Sequence, residues 1–217
     1  MTITLVTSAS RILPVLRPSL AVTAESYLAD VGVTVLANAK VTTVSPMDAG
    51  HTAVAGNATV TLEDGRVLHA DLYIPATGTR PNTGFMDASL LAADGRVQTN
   101  PATLRVDSAG ERVYAIGDAA SSSRPAVHMV LSAVPVLGAN IKRDLLLAAG
   151  VAEAGADKEF REDTRETQLV PIGKSKGVGA MMGYRLPSFL VWLIKGRDYW
   201  LWTTGRLWSG KQWAKES

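Results

Sequence analysis

The sequence has 217 residues, of which 47% are hydrophobic and 19% are charged. This composition is that of a folded globular protein rather than a disordered one, and the chain is long enough for one large or two small domains. A formal net charge of +2 is too small to indicate nucleic-acid binding, and the absence of cysteine excludes structural disulfides, zinc–cysteine sites and a dithiol relay within these residues.

The first third of the chain has the pattern of strands around one helix. Residues 3–7 form a short apolar run typical of a strand, residues 19–31 have a helical pattern, and residues 32–36 predict the next strand. Apolar and polar residues then alternate over residues 59–71 about the pair Asp64-Gly65, which is a strong hairpin signal. This part therefore predicts an α/β layer followed by an antiparallel hairpin.

An apolar strand predicted at residues 113–116 ends in three residues suited to ligand binding, Gly117, Asp118 and Ala119. Gly117 has no side chain, so a ligand could approach the backbone, and the Asp118 carboxylate could accept hydrogen bonds from ligand hydroxyls. A helix is predicted from about residue 125 to residue 147, and its N-terminal N–H groups would favour an anion at the same place. A hydroxyl acceptor beside an anion site suits a ribityl chain and its pyrophosphate.

A second apolar segment, predicted as a strand at residues 71–74, leads into a turn of Ala76, Thr77 and Gly78. Together with the Gly-Asp strand end, this turn resembles the second half of the pyridine-nucleotide-dependent flavoprotein reductases, which have two dinucleotide-binding domains. In that family the Ala-Thr-Gly turn closes the NAD(P)H domain and returns the chain to the FAD domain, and the Gly-Asp end holds the ribityl chain of the flavin.

The resemblance implies an α/β fold that is part of this two-domain FAD/NAD(P) architecture, with a C-terminal α+β region. Residues 1–75 would complete the NAD(P)H-binding domain, residues 76–148 would be the returning part of the FAD-binding domain, and residues 149–217 would form an interface or membrane-facing region. No catalytic side chain and no metal site is expected. The expected cofactor-binding residues are Ala76, Thr77, Gly78, Gly117, Asp118 and Ala119.

The C-terminal residues 177–184 and 193–198 are similar to the apoptosis-inducing-factor-like branch, which includes the ferroptosis-suppressor quinone reductases. This similarity implies an FAD-dependent NAD(P)H oxidoreductase that passes electrons through flavin to a quinone-type acceptor. Strand 3–7 is followed by Ser8 and then Arg11, with no carboxylate to bind a ribose diol. That arrangement favours NADPH, or use of both nucleotides.

Neither of the two Gly-x-Gly-x-x-Gly fingerprints that such a reductase needs occurs in this sequence. Two glycine-containing stretches, residues 173–175 and 177–183, have the wrong spacing for phosphate loops and are predicted to be turns. We therefore expect the C-terminal portion of a longer flavoprotein. The alternative is a catalytically inactive, truncated remnant that acts as a dimerisation or membrane-docking module.

All five tryptophans lie near the C-terminus, where residues 185–217 carry six basic and two acidic side chains. Tryptophan interleaved with lysine and arginine suits a membrane interface, and an aromatic core or a homodimer seam is the alternative. No apolar run reaches the ~20 residues of a spanning helix, and no targeting signal is present. The expected location is the cytoplasm, with peripheral contact to a mitochondrial or other intracellular membrane. The tryptophans are Trp192, Trp200, Trp202, Trp208 and Trp213.

Overall fold

The computed structural model describes residues 1–51, 57–151 and 153–211. The chain forms two compact units: the first comprises Met1–Thr77 and Arg165–Ser209, and the second has Gly78–Thr164 as its main segment. The predicted division after residues 75 and 148 concerns the cofactor domains, and it stays a prediction.

The first unit opens with a β–α–β element. Strand β1 (Ile3–Val6), helix α1 (Pro18–Asp30) and strand β2 (Val33–Leu36) follow one another, and the two strands pair in parallel. A helical crossover is the usual way to connect parallel strands. Pro18 suits the start of α1, because the backbone N–H that proline lacks would have no hydrogen-bond partner within the helix at this position. The strands and the helix predicted for this part of the chain are confirmed.

A three-stranded antiparallel sheet comes next in the same unit. It consists of β3 (Val41–Ser45), β4 (Ala58–Leu62) and β5 (Val67–Ala70), with β4 in the centre. Alternate side chains of β4 are buried, because successive residues of a strand face opposite sides of the sheet. Gly65 between β4 and β5 has a positive φ of 86°, the conformation that favours glycine in such turns. The predicted hairpin is confirmed.

Helix α2 (Val127–Ala148) is the main regular element of the second unit, and it matches the predicted helix. It continues through Pro135 without a break. The rest of the unit consists mainly of loops and short 3₁₀ turns. Ala133, Val136 and Leu137 of this helix pack against Leu104, Ile116 and Phe160, which are buried or half-buried.

Two predicted strands are wrong. Residues 71–74 are irregular, and the side chain of Ile74 is 73% exposed. Residues 113–116 form only a single β-bridge, between Arg105 and Tyr114. A strand requires a neighbouring backbone along its length, and these segments find none among the described residues beyond that bridge. Apolar composition predicted a strand in each case, whereas pairing decides whether one forms.

The C-terminal part of the first unit is a second antiparallel sheet, built from β6 (Gln168–Ile172), β7 (Lys176–Met181) and β8 (Tyr184–Arg185). β6 lies at the edge, as its Pro171 predicts, because proline has no N–H to donate to a further strand. Residues 173–175 form the turn between β6 and β7. Their assignment as a turn rather than a phosphate loop is confirmed.

Gly177 and Gly179 lie inside β7, so the prediction that their stretch is a turn is wrong for these two residues. A Cβ at Gly179 would lie 2.6 Å from the carbonyl oxygen of Gln168, and one at Gly177 would lie 2.6 Å from Cγ1 of Val191. Val191 ends helix α3 (Ser188–Val191), which packs on β7. Gly179 therefore allows β6 to lie close to β7, and Gly177 allows α3 to do so. Glycine spacing in the sequence does not reveal this packing requirement.

Beyond α3 the chain continues in short helical pieces. A π-helix at Trp192–Gly196 and a 3₁₀ turn at Leu201–Thr203 lead into helix α4 (Thr204–Trp208). Within the part of the chain that the structure describes, every helix is too short or too polar to cross a bilayer. The expectations that rested on Trp213, Lys215 and Glu216 lie outside the described residues.

Candidate functional site

The three residues Gly117, Asp118 and Ala119 form one 3₁₀ turn, which follows extended backbone at Ile116. Gly117 has a positive φ of 77°, a conformation that other residues adopt only with strain. The backbone N–H of Ala120 donates to the carbonyl of Gly117 at 3.0 Å and closes the turn. The chain therefore changes direction sharply here, as the Gly-Asp pattern indicates.

Backbone hydrogen bonds join the turn to the segment that contains Val97. The Val97 N–H donates to the carbonyl of Ala119 at 2.8 Å, and the Ser121 N–H donates to the carbonyl of Val97 at 3.0 Å. Ala120 between them is fully buried. Asp118, in contrast, is exposed and makes no hydrogen bond or ion pair with the described residues. The hydrogen-bonded turn therefore positions the backbone of Asp118, and its carboxylate is available to accept hydrogen bonds from a ligand.

The turn lies against the start of α2. A Cβ on Gly117 would come within 3.4 Å of Cγ2 of Val130, so a larger residue would press on the first turns of the helix. Ala126 occupies the N-cap and provides no side-chain hydrogen bond. The first N–H groups of this 22-residue helix therefore lack the usual side-chain acceptor and lie close to the Asp118 turn.

His128 stands on the first turn of α2 and is half-buried. Its Nε2 is enclosed and has no hydrogen-bond partner among the described residues. Burial lowers the pKa of the imidazole, and the positive charge of Arg124 lowers it further. The ring is therefore neutral at pH 7 and offers a hydrogen-bonding nitrogen rather than a positive charge.

A charged cluster that the sequence did not predict supports the segment leading into the turn. The Tyr114 hydroxyl donates to the Asp144 carboxylate, and the Arg105 guanidinium donates to both oxygens of that carboxylate at 2.6 and 2.8 Å. Arg105 also pairs with Asp157 at 2.8 Å. Hydrogen bonds from Arg105 lower the pKa of Asp144 to about 2, against the opposing effect of burial. Tyr114 is thereby fixed to α2, three residues before Gly117.

No local pattern could have revealed this cluster, since Arg105 is 39 residues from Asp144 and 52 residues from Asp157 in the sequence. Asn140 adds to the same support and is fully buried. It donates to the carbonyls of Thr103 and Lys158 and accepts from the Lys158 N–H, at 2.8–3.0 Å. A buried amide with three such bonds ties α2 to two loops of the second unit.

Ala76, Thr77 and Gly78 form an exposed stretch without regular secondary structure. Gly78 has a positive φ of 89°, which explains the glycine at this position. Thr77 is the last residue of the first segment of unit one, and Gly78 is the first residue of unit two. The structure therefore brings Gly117, Asp118 and Ala119 together on one turn, while Ala76–Gly78 occupy a separate stretch where the chain passes from one unit to the other.

The described residues also line a small, partly open pocket of about 220 Å³ between α1, β7 and the residues before α3. Its walls include Leu20, Tyr27, Arg185 and Ser188, and none of the predicted site residues contributes. Ligand pockets for drug-sized molecules usually exceed about 300 Å³, so this pocket is too small for a dinucleotide. Within the described ranges, no group of side chains has the composition of a metal centre.

Comparison with known proteins was informative for most of the chain. Residues 1–134 match the model of the family described as pyridine nucleotide-disulphide oxidoreductase. Oxidoreductase phnG of Penicillium herquei is 64% identical over 217 residues, which is 99% of this chain and 52% of that protein. Oxidoreductase ptaL of Pestalotiopsis fici is 31% identical over 140 residues, 64% of this chain and 35% of that protein. The chain thus spans about half the length, or less, of these curated relatives.

Solved structures agree at the level of the fold. The NAD-dependent persulfide reductase from A. fulgidus superposes with a TM-score of 0.52 at 19% identity, covering 83% of this chain and 32% of that chain. LpdA from Mycobacterium tuberculosis gives the same TM-score and identity over 82% of this chain and 34% of that chain. The predicted fold class, an α/β part of a dinucleotide-binding reductase fold, is confirmed.

Proposed function

We propose, because this chain belongs to the pyridine nucleotide-disulphide oxidoreductase family, that it is the C-terminal portion of an FAD-dependent NAD(P)H oxidoreductase. The observation that carries the proposal is the Asp118 turn. An exposed carboxylate that has no partner among the described residues stands on a hydrogen-bonded turn, beside a long helix whose first N–H groups have no side-chain cap. Such an arrangement fits a ligand that combines hydroxyl groups with a pyrophosphate.

In this proposal the flavin supplies the redox chemistry, accepting electrons from NAD(P)H and passing them to an acceptor, while the chain supplies binding and orientation. Asp118 accepts hydrogen bonds from ribityl hydroxyls, Gly117 allows close approach of the backbone, and Ala119 lies near the pyrophosphate. Ala76, Thr77 and Gly78 line the passage between the two cofactors. No side chain acts as a general acid or base.

A quinone-type acceptor and membership of the apoptosis-inducing-factor-like branch are the finer parts of the proposal. They rest on the resemblance of residues 177–184 and 193–198 to that branch. A reduction assay with NADPH and a water-soluble quinone, run on the chain loaded with FAD, tests them. Turnover with a disulfide but not with a quinone would contradict this assignment.

We further propose a preference for NADPH. The ends of parallel strands are where α/β sheets bind ligands, and β1 is followed by Ser8, Ser10 and Arg11 with no acidic residue among the first 24 positions. The Arg11 guanidinium donates to the carbonyls of Leu13 and Pro14, each at 2.9 Å. These bonds hold the guanidinium in the loop after β1, with its other N–H groups left to bind a 2′-phosphate.

The first experiment is a titration of the purified chain with FAD, followed by the visible spectrum after desalting. Flavin bands that persist, with perturbed shape, support the proposal. Replacing Asp118 with alanine should weaken FAD binding about tenfold or more, since a hydrogen bond to a charged group contributes about 1.5–3 kcal/mol. Glu111→Ala is the matched control, because Glu111 is an exposed carboxylate of the same unit that the proposal does not use.

A chain that stays colourless with FAD would contradict the proposal for this polypeptide and favour the alternative, a non-catalytic docking or dimerisation module. If Asp118→Ala and Glu111→Ala weaken FAD binding equally, the effect comes from the change in net charge rather than from the turn. For the nucleotide, binding of adenosine 2′,5′-bisphosphate is compared with binding of AMP. We expect Arg11→Gln to lower the affinity for the bisphosphate about tenfold and to leave the affinity for AMP unchanged. Tighter binding of AMP than of the bisphosphate by the wild type would contradict the NADPH preference.

A further inference from the structure

The C-terminal part of the first unit exposes an unusual amount of aromatic surface. Trp202 is 67% exposed and Trp208 is 81% exposed, and the side chains of Phe189, Tyr199 and Leu201 are exposed to a similar extent. We call this the aromatic face, and its members are Phe189, Tyr199, Leu201, Trp202 and Trp208. Exposed aromatic side chains clustered in one segment of the sequence point to an interaction site, because exposing large apolar side chains to water is unfavourable.

The aromatic face is not part of the core. Other residues of the C-terminal segment do the packing: Val191 is fully buried against Gly177 of β7, and the Lys195 ammonium donates to the carbonyl of Leu169 at 3.0 Å. These contacts fix the segment on its sheet. The alternative that the tryptophans serve as an aromatic core is therefore wrong for Trp202 and Trp208.

Positive charge accompanies these aromatic side chains. Residues 185–211 contain five basic residues and one acidic residue, Asp198. Asp198 pairs with Arg197 at 2.9 Å, and Arg206 on α4 is exposed without an ion pair among the described residues. A surface that combines tryptophan, tyrosine and arginine complements the headgroup region of an anionic bilayer, where amphipathic rings and cations are both favoured.

We propose that the aromatic face docks this protein peripherally on an anionic lipid surface. Trp202 and Trp208 enter the interface between headgroups and acyl chains, and Arg206 contacts lipid phosphates. The segment lies in the plane of the interface rather than across it, since its helices are too short to span. This inference concerns surface residues only and does not depend on flavin or nucleotide binding.

Flotation of the full chain with vesicles tests the proposal. Phosphatidylcholine vesicles with added phosphatidylserine should carry the chain to the top of the gradient, and pure phosphatidylcholine vesicles should carry much less. The double change Trp202→Ala with Trp208→Ala should weaken lipid binding about tenfold or more. Phe85→Ala is the matched control, because Phe85 is 84% exposed and lies in the other unit.

Two further measurements keep the result interpretable. Arg206→Gln should weaken binding to the anionic vesicles about fivefold and leave binding to neutral vesicles unchanged. Far-UV circular dichroism should show that the double variant retains its fold, as expected for side chains on the surface.

A chain that never floats, even with phosphatidylserine, overturns the proposal. If light scattering then shows a dimer that the double tryptophan change dissociates, the aromatic face is a seam between two copies. Equal loss of flotation in Phe85→Ala and in the double variant also overturns it, since binding would then not be specific to this face.

Discussion

Replacing Asp144 with asparagine should destabilise the second unit. Asp144 accepts hydrogen bonds from Arg105 and from the Tyr114 hydroxyl, and its side chain is only 13% exposed. Asparagine has nearly the same shape but no charge, so the change removes the ion pair while leaving the packing in place. Arg105 keeps Asp157 as a partner, which limits the loss to less than that of an isolated buried charge.

The magnitude follows from the pKa of the carboxyl group. Arg105 holds the pKa of Asp144 at about 2, below its ordinary value of 3.8. One pKa unit corresponds to about 1.4 kcal/mol, so full coupling would contribute about 2.5 kcal/mol. Allowing for partial screening by water, we expect Asp144→Asn to lower the free energy of unfolding by about 1–2 kcal/mol at pH 7.

The pH dependence has a definite sign. Because the pKa is lower in the folded state than in the unfolded state, the stabilisation is fully present above the ordinary value of 3.8 and is lost as the pH falls toward about 2. Stability of the wild type should therefore fall between about pH 5 and pH 2 more steeply than that of Asp144→Asn.

Urea denaturation followed by circular dichroism at 222 nm measures the effect, because α2 is the longest helix of the described chain. With a slope of about 2 kcal/mol per molar urea, the midpoint should fall by roughly 0.5–1 M. Asp64→Asn is the control: Asp64 also pairs with an arginine, at 2.7 Å, but on an exposed turn, and no measurable change is expected. Equal midpoints for wild type and Asp144→Asn would refute the reasoning.

Three further changes have definite expected results in the same denaturation assay. Asn140→Ala should cost about 2–3 kcal/mol, since it leaves buried backbone groups without partners; a loss no larger than that of Asp64→Asn would contradict this. Gly179→Ala should cost about 1–3 kcal/mol through its clash with β6, whereas Gly205→Ala, with open space around it, should be tolerated. Burial raises the pKa of Glu166, but hydrogen bonds from Arg17 lower it overall, so the stability from this pair is present above pH 4.5 and declines as the pH falls below it. Glu166→Gln should remove that decline, and an unchanged pH profile would count against it.

The turn that carries Gly117 and Asp118 follows a local pattern, although the strand predicted before it does not form. A glycine with positive φ followed by an aspartate defines the turn at Gly117 and Asp118 through the conformations of two neighbouring residues, and such information is contained in the sequence. The hairpin around Gly65 and the crossover through α1 were predictable for the same reason. FAD binding at this turn and electron transfer to a quinone are proposals that the experiments above test.

The sequence by itself therefore determined the elements whose signals are local: the β–α–β start, the hairpin, the long helix α2 and the Gly-Asp turn. Only the tertiary structure decided which apolar segments find a strand to pair with, and so residues 71–74 and 113–116 remained irregular. It also decided the partners of Asp144 and placed Gly179 inside a strand. The physical reason is that hydrogen-bond pairing, ion pairing and close packing join residues far apart in the chain, and their spacing leaves no periodic trace in the sequence.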